Sequence, residues 1–230
     1  MISKLKRLMK QHPAFMDTVA VIYNLVHRNN AWKYHNVISC KGAFLNNVKF
    51  NIIGHNNKII IGRKARLKCC KITVLGNNCS VILGGGSTII SNTSFWCEDD
   101  NCRIIIGNDF MIGGGHIAST EGELISIGND CMFSNDIEIR NGDSHSILKV
   151  GTEERTNWAE SVVIGDHVWL TAHVRILKGS TIPSHSIVAN SSVIAHKLDI
   201  PYSIYGGNPV KLLKTGIDWD KNRHKFKRQL

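Results

Sequence analysis

Residues Ile164–Ile194 read "IGDHVWLTAHVRILKGSTIPSHSIVANSSVI", a stretch that repeats every six residues. One series of positions six apart holds only large aliphatic side chains: Ile164, Leu170, Ile176, Ile182, Val188 and Ile194. A second series, four residues after each of the first five, holds only small or β-branched side chains: Val168, Val174, Ser180, Ser186 and Ser192. Neither a helix nor a plain strand alternation has this period, which is typical of a hexapeptide β-helix.

Each six-residue unit of such a solenoid supplies a short strand and a bend, and three units complete a triangular coil. Residues eighteen apart should therefore stack at the strand spacing of roughly 4.8 Å. The same period appears less regularly upstream, at Ile106 and Ile112 and again at Ile127, Phe133 and Ile139. The pattern predicts an all-β parallel solenoid whose first coils are irregular.

The two ends of a solenoid need covering. We expect an N-terminal helical segment over 1–38, with its helix at about 2–28, and a β-helix over 39–205 with a projecting loop at 142–161. Residues 206–230 should form a basic extension with a short helix and a tail. The N-terminal helix can pack on the domain or touch a membrane surface peripherally. Its apolar run, Thr18–Val26, is too short to span a bilayer.

Charge and cysteine content narrow the class of protein. The 230 residues carry a formal net charge of +10, which favours anionic partners. Seven cysteines occur without a CxxC pair, so we expect buried thiols in a reduced, cytoplasmic protein. The basic start is interrupted by polar residues and does not read as a signal peptide. No recognition motif indicates a nucleic-acid partner.

Two segments carry a family resemblance. Residues 162–182, "VVIGDHVWLTAHVRILKGSTI", and 186–214, "SIVANSSVIAHKLDIPYSIYGGNPVKLLK", resemble the hexapeptide-repeat acyltransferases, a left-handed β-helix family. Within that family the chain is similar to bacterial O-acetyltransferases of galactosides, capsular polysaccharides and polysialic acid. The resemblance implies a left-handed coil, acetyl-CoA as donor, a sugar hydroxyl as acceptor and a homotrimer with its sites between subunits.

The repeat stops at Asn141–Val150, "NGDSHSILKV", where His145 leaves the prism. Histidine titrates near neutrality and suits removal of a proton from a sugar hydroxyl. Family members carry their catalytic histidine in a matching segment, and Trp169 follows at a matching spacing. The resemblance therefore implies His145 as the base and Trp169 as an apolar wall beside the acceptor. If His145 is not the base, His116 in "GGGHI" is the next candidate.

Further site residues follow from the same resemblance and from their places around the loop. Residues that would meet the acceptor, or else be solvated edge and turn residues, are Asn135, Arg140, Asn141 and Asp143. Residues that would meet the cofactor are Trp169, Ala172, Lys178, Asn190, Lys197, Pro201 and Lys211. A backbone N–H near Ala172 would hold the oxyanion, and Lys197 is the first choice for the cofactor phosphates.

Three histidines share the fourth place of their hexapeptides: His167, His173 and His185. Stacked histidines suggest zinc, as in the γ-class carbonic anhydrases of this fold. The His-Gly-Cys-type ligand segment of that family is absent here, so we predict no metal site and no metal requirement.

These features together predict an acetyl-CoA-dependent O-acetyltransferase acting on a capsular or other cell-surface polysaccharide. The charge of the chain favours an anionic glycan. Two alternatives stay open: an N-acyltransferase on an amino-sugar nucleotide, and a non-catalytic or metal-binding β-helix protein.

Overall fold

The structure is a computed structural model that describes residues 13–27 and 36–222. One helix, α1 (Pro13–Val26), precedes strands β1 to β23, which form three parallel-stranded faces of a prism. Face A contains β1 (Val37–Ser39), β4 (Lys58–Ile61), β7 (Ser80–Leu83), β10 (Arg103–Ile106), β13 (Leu124–Ile127), β16 (Val162–Ile164) and β19 (Thr181–Ile182).

The other two faces take the next strands of each coil. Face B contains β2 (Phe44–Asn46), β5 (Arg66–Lys68), β8 (Ile89–Ser91), β11 (Met111–Ile112), β14 (Met132–Phe133), β17 (Trp169–Leu170), β20 (Ile187–Val188), β22 (Ser203–Gly206) and β23 (Lys211–Thr215). Face C contains β3 (Lys49–Ile52), β6 (Lys71–Val74), β9 (Thr93–Cys97), β12 (Gly115–Ser119), β15 (Ile137–Arg140), β18 (Arg175–Ile176) and β21 (Val193–Ile194). The chain thus runs from A to B to C and back to A. We call the three turns corner AB, corner BC and corner CA.

The stacking register confirms the predicted repeat. Val163 pairs with Thr181, Trp169 with Ile187 and Arg175 with Val193, each eighteen residues further on. Earlier coils are longer, as the irregular pattern predicted, so that Lys58 pairs with Ser80. The strands of the regular coils are only two residues long because each hexapeptide spends most of its length turning.

The inward positions also match the prediction. All six aliphatic residues of the first series are at most 2% exposed. Burial of each such side chain contributes about 1.5–3 kcal/mol to stability. The five residues of the second series are fully buried at the bends, where Ser180 Oγ donates to the carbonyl of Ile194 at 3.1 Å.

Helix α1 packs on the first coil rather than lying free. Met16, Ala20 and Asn24, spaced four apart, are buried on one helix face. Asn24 Oδ1 accepts from the amide of Leu45 at 2.8 Å, and Asn24 Nδ2 donates to the carbonyl of Ala43 at 3.3 Å. The amide side chain therefore satisfies backbone groups that the first coil exposes at its open end. Residues 2–12 and 28 of the expected helix lie outside the described residues, and no helix among the described residues is long and apolar enough to cross a bilayer.

The expected C-terminal helix is wrong for residues 206–222. Strand β23 instead pairs antiparallel with β22, and Gly206 and Lys211 face each other across the turn. Gly206-Gly207-Asn208-Pro209 reverses the chain here, and Gly207 adopts φ +104°, which favours glycine. The residues after this turn complete a strand ladder at the edge of face B. The end of the predicted tail, 223–230, lies outside the described residues.

The prediction of buried thiols agrees with the structure. Five of the seven cysteines are buried, all seven are free, and Cys69 is exposed. Burial raises the pKa of Cys70 to about 11 and that of Cys131 to about 12. These thiols act as small core side chains rather than as nucleophiles.

Candidate active site

The loop between β15 and β16 interrupts corner CA. It is described in full, and it contains no helix or strand between Arg140 and Val162. Ile125 of β13 pairs with Val162 of β16, so this coil is thirty-seven residues long where the regular coils have eighteen. The insertion lifts His145 clear of the prism, and its side chain is exposed.

Asn157 holds the part of the loop that carries His145. Its side chain is 6% exposed, and Nδ2 donates to the carbonyl of His145 at 2.7 Å and to Asp143 Oδ2 at 3.0 Å. Asn157 Oδ1 accepts from the amide of Ile147 at 2.7 Å. One buried amide therefore binds the backbone at His145 and Ile147 and the side chain of Asp143, and so fixes the backbone from which the imidazole projects.

Glu121 anchors the far end of the loop to the coil below. Its carboxylate accepts from Arg155 Nη2 at 2.5 Å and from the amide of Ala159 at 2.9 Å. Partial desolvation opposes ionisation of this carboxyl group, but these two donors outweigh it and lower its pKa below the usual value. The charged carboxylate is the form that holds the loop at neutral pH.

Lys178 meets Asp143 one coil further along corner CA. Lys178 Nζ lies 2.5 Å from Asp143 Oδ2. The hydrogen bond from Lys178, supported by that from Asn157, lowers the pKa of Asp143. The structure therefore brings Lys178 to Asp143, which precedes His145 by two residues; the repeat did not predict this contact.

A cavity of about 240 Å³ opens on face C next to this loop. Its lining includes Trp96, Glu98, His116, Thr120, Arg140 and Ser144. Ser144 lines the cavity and directly precedes His145, whose side chain is exposed on the loop. A cavity that combines an aromatic wall with a few polar and charged side chains of both signs suits a hydroxylated ligand.

His116 is the second histidine of this region and lies inside the cavity. Burial lowers the pKa of His116, and the guanidinium of Arg140 lowers it further, whereas Glu138 opposes the shift. Arg140 Nε and Glu138 Oε1 form an ion pair at 2.7 Å. The ring is therefore held neutral at physiological pH and can accept a proton.

Replacing Arg140 with alanine should raise the pKa of His116, because it removes the nearby positive charge and frees Glu138. Glu138→Gln should lower the pKa of His116, so the two variants shift the same pKa in opposite directions and serve as controls for each other. Since the folded-state pKa lies below the unfolded value of about 6.5, His116 should destabilise the fold as pH falls through that value. NMR titration of the imidazole C–H resonances measures both shifts. A wild-type His116 titrating at the ordinary pKa, unmoved by either substitution, would contradict this arrangement.

Trp169 and His145 lie on opposite sides of the prism. Trp169 is half-buried on β17 of face B, whereas His145 is on corner CA. In a triangular coil the corner between faces C and A is opposite face B. A single chain therefore does not bring its two predicted catalytic residues together.

The predicted cofactor residues other than Trp169 and Lys178 lie at corner BC, beside face A and at the end of the last coil. Ala172 and Asn190 lie on corner BC one coil apart, where the amide of Ser191 donates to the carbonyl of Ala172 at 3.0 Å. Lys197 is exposed beyond β21, and its backbone bridges to Thr181 of face A. Pro201 and Lys211 are exposed at the end of the coil, before and within the closing strands.

The predicted acceptor residues are only partly grouped. Arg140 and Asp143 lie at the cavity and loop, but Asn135 is at corner BC, at the opposite end of β15. Asn141 is fully buried, and its Oδ1 accepts from the amide of Thr120 at 2.9 Å. Its side chain positions the cavity wall instead of facing a ligand, since a residue directly after a strand can turn inward as readily as outward.

Sequence reasoning missed several residues of the region, chiefly Asn157, Glu121, Trp96 and Glu98. Trp96 and Glu98 lie two coils below His145, in the irregular part of the repeat. Asn157 belongs to a loop without periodicity. The one available signal was the alternation of Trp96 and Glu98 with buried residues, which places both on the outer surface of face C.

Comparisons with known proteins agree with this architecture. No protein-family model matches the chain. The polysialic acid O-acetyltransferase of Neisseria meningitidis is 32% identical over 192 residues, which are 83% of this chain and 88% of that protein. The crystal structure of the polysialic acid O-acetyltransferase OatWY superposes with a TM-score of 0.75 at 30% identity, covering 84% of this chain and 90% of that one. The polySia-specific acetyltransferase NeuO shares the fold, with a TM-score of 0.64 at 24% identity over 77% of this chain and 91% of that one.

Proposed function

Because the chain belongs to the hexapeptide-repeat acyltransferases of left-handed β-helix fold, the family of the polysialic acid O-acetyltransferases, we propose that it transfers an acetyl group from acetyl-CoA to a hydroxyl of a cell-surface polysaccharide. The observation that supports this most is the exposed His145 side chain, on a loop whose backbone carbonyl at His145 is held by Asn157 and whose Ser144 lines a cavity on face C. Acyl transfer needs a base at an accessible edge, and this one projects from an otherwise closed prism.

The proposed chemistry uses His145 as a proton carrier. Its neutral imidazole takes the proton of the acceptor hydroxyl as the oxygen attacks the thioester carbonyl. The tetrahedral intermediate collapses, the carbon–sulfur bond breaks, and the imidazolium returns the proton to the departing CoA thiolate. A backbone N–H near Ala172 would stabilise the oxyanion.

Basic residues offer a place for the donor. Lys178 is engaged by Asp143 at 2.5 Å, whereas Lys197 and Lys211 are exposed at the last coil. We assign the phosphates of acetyl-CoA to Lys197 first. Lys178 and Lys211 are the next candidates. Trp169, Asn190 and Pro201 would contact the remainder of the cofactor.

The opposite placement of His145 and Trp169 supports a homotrimer. If corner CA of one subunit faces face B and corner BC of the next, each active site combines His145 of one chain with Trp169 of its neighbour. Closed cyclic symmetry then repeats this site at every interface. The flat faces of the prism suit such packing.

An anionic glycan is the proposed acceptor. The formal net charge of +10 raises the local concentration of an acidic polymer, and Arg140 lines the cavity beside His145. Polysialic acid is therefore the first acceptor to supply.

The experiment incubates the purified protein with acetyl-CoA and either polysialic acid or a neutral glycan. We expect thiol release and an acetylated product with the acidic polymer, and weaker turnover with the neutral one. Mild alkali should remove the new acetyl group, because an O-acetyl ester is labile and an N-acetyl amide is not. Acetyl transfer that survives alkali would indicate an N-acyltransferase, and no thiol release with any glycan would overturn the proposal.

A further inference from the structure

Two histidines stack on corner AB, away from the corner that carries His145. His167 and His185 occupy the same hexapeptide place in consecutive coils, and their ring centroids are 5.1 Å apart. The C-terminal segment after β23 folds back over them, where the amide of Ile217 donates to the carbonyl of Tyr202 at 3.0 Å. This brings Asp218 to both imidazoles.

The three side chains present a convergent donor set. Asp218 Oδ1 lies 3.4 Å from His167 Nε2, and Asp218 Oδ2 lies 3.3 Å from His185 Nδ1. One ligand atom from each residue lies within 4.8 Å of the other two, and among residues 13–27 and 36–222 this is the one such group. We propose that His167, His185 and Asp218 bind a divalent transition-metal ion of the zinc class.

The spacing fits the geometry of such an ion. A tetrahedral zinc with bonds of about 2.0–2.1 Å separates its ligands by roughly 3.4 Å. The two histidine–carboxylate separations already have this value. Two imidazoles and one carboxylate leave the fourth position to water, and this ligand type favours zinc over calcium or magnesium.

The surroundings orient both imidazoles. His167 Nδ1 lies 2.6 Å from Asp130 Oδ2, which fixes the proton on Nδ1 and leaves Nε2 for the ion. Trp219 stacks on His167 at 4.2 Å, and Tyr202 stacks on His185 at 4.4 Å. The carboxylate of Asp130 and the two aromatic rings restrict the orientation of the imidazoles, as groups around a metal centre do.

Hydrogen bonds alone could also hold His167 against the C-terminal segment. His167 Nε2 also lies 3.0 Å from the carbonyl oxygen of Trp219. A ring that donates to Asp130 and to this carbonyl at once must carry both protons. In that case His167 would hold the C-terminal segment through these two hydrogen bonds without any ion.

His173 shows what the proposed site has in addition. It occupies the same hexapeptide place and pairs with Asp136 at 2.7 Å, but its side chain is 57% exposed. Among the described residues, His173 belongs to no group of three possible metal ligands. The repeat could not predict the site, because Asp218 comes from outside it.

Metal binding would fix the C-terminal segment beside face B. Trp219, next to Asp218 in the chain, lies 5.9 Å from Trp169 between ring centroids. The indole N–H of Trp219 also donates to the carbonyl of His167 at 2.8 Å. Tryptophan fluorescence should therefore respond when the ion binds.

The experiment uses full-length protein without a polyhistidine tag, stripped with a chelator and titrated with Zn²⁺ by calorimetry. We expect one ion per chain, a raised melting temperature and a change in tryptophan emission, with Co²⁺ giving the visible absorption of a four-coordinate site. His185→Ala and Asp218→Asn should each weaken binding at least 10-fold. Asp130→Asn should weaken it about 10- to 100-fold, because Asp130 orients the ligand His167. His173→Ala should bind as wild type.

Three results would overturn the metal site. They are no stoichiometric binding by the wild type, equal affinity in His185→Ala, and a melting temperature of the stripped protein that zinc does not change. The last result would leave the hydrogen bonds of His167 to hold the segment at this corner without an ion. Acetyl transfer is measured separately on stripped protein, so failure of either proposal leaves the other distinguishable.

Discussion

Replacing His145 with alanine is expected to lower turnover at saturating acetyl-CoA by roughly 10²- to 10⁴-fold, the usual contribution of a general base. The fold should persist, since the side chain is exposed on a loop and fills no core position. Affinity for acetyl-CoA should change little, because the imidazole acts on the acceptor hydroxyl. Thiol release under initial-rate conditions measures turnover, and thermal unfolding checks the fold.

His55→Ala is the matched control, because His55 is also an exposed histidine at corner CA but lies between the first two coils and does not line the cavity. It should keep native turnover. Near-native activity in His145→Ala would show that another group removes the proton. His116 would then be tested first, since it lines the cavity on face C and its pKa is lowered by burial.

The repeat was predictable from sequence because its physics is local and regular. In the regular coils each inward position pairs with an equivalent eighteen residues further on, as Leu170 does with Val188 and Ile176 with Ile194, so a period in the sequence maps directly onto the core. The bends follow for the same reason, since Ser180 and Ser186 are small enough to be buried there. His145 stood out only because it ended this order.

The contacts that complete the candidate site had no such signal. Asn157 reaches back to His145 across the loop, and Asp218 returns to His167 from beyond the last coil. Both depend on how irregular segments pack in three dimensions. The C-terminal hairpin escaped prediction likewise, because residues 211–215 are all exposed and show no inward face that would distinguish a strand from a helix.

Mixed oligomers of two inactive variants should recover activity if the site is shared between subunits. His145→Ala lacks the proposed base on corner CA, and Trp169→Ala lacks the proposed wall on the opposite face B. In a mixed trimer, the site that takes His145 from one variant and Trp169 from the other is intact, and this is about one of its three sites. Co-expression with two different affinity tags, followed by tandem purification, isolates the mixed species for assay. Each variant purified alone and refolded with itself is the control and should stay inactive. Mixed species no more active than these controls would contradict a site shared between subunits. Since His145 and Trp169 lie on opposite sides of one chain, a group other than His145 would then have to act as the base beside Trp169.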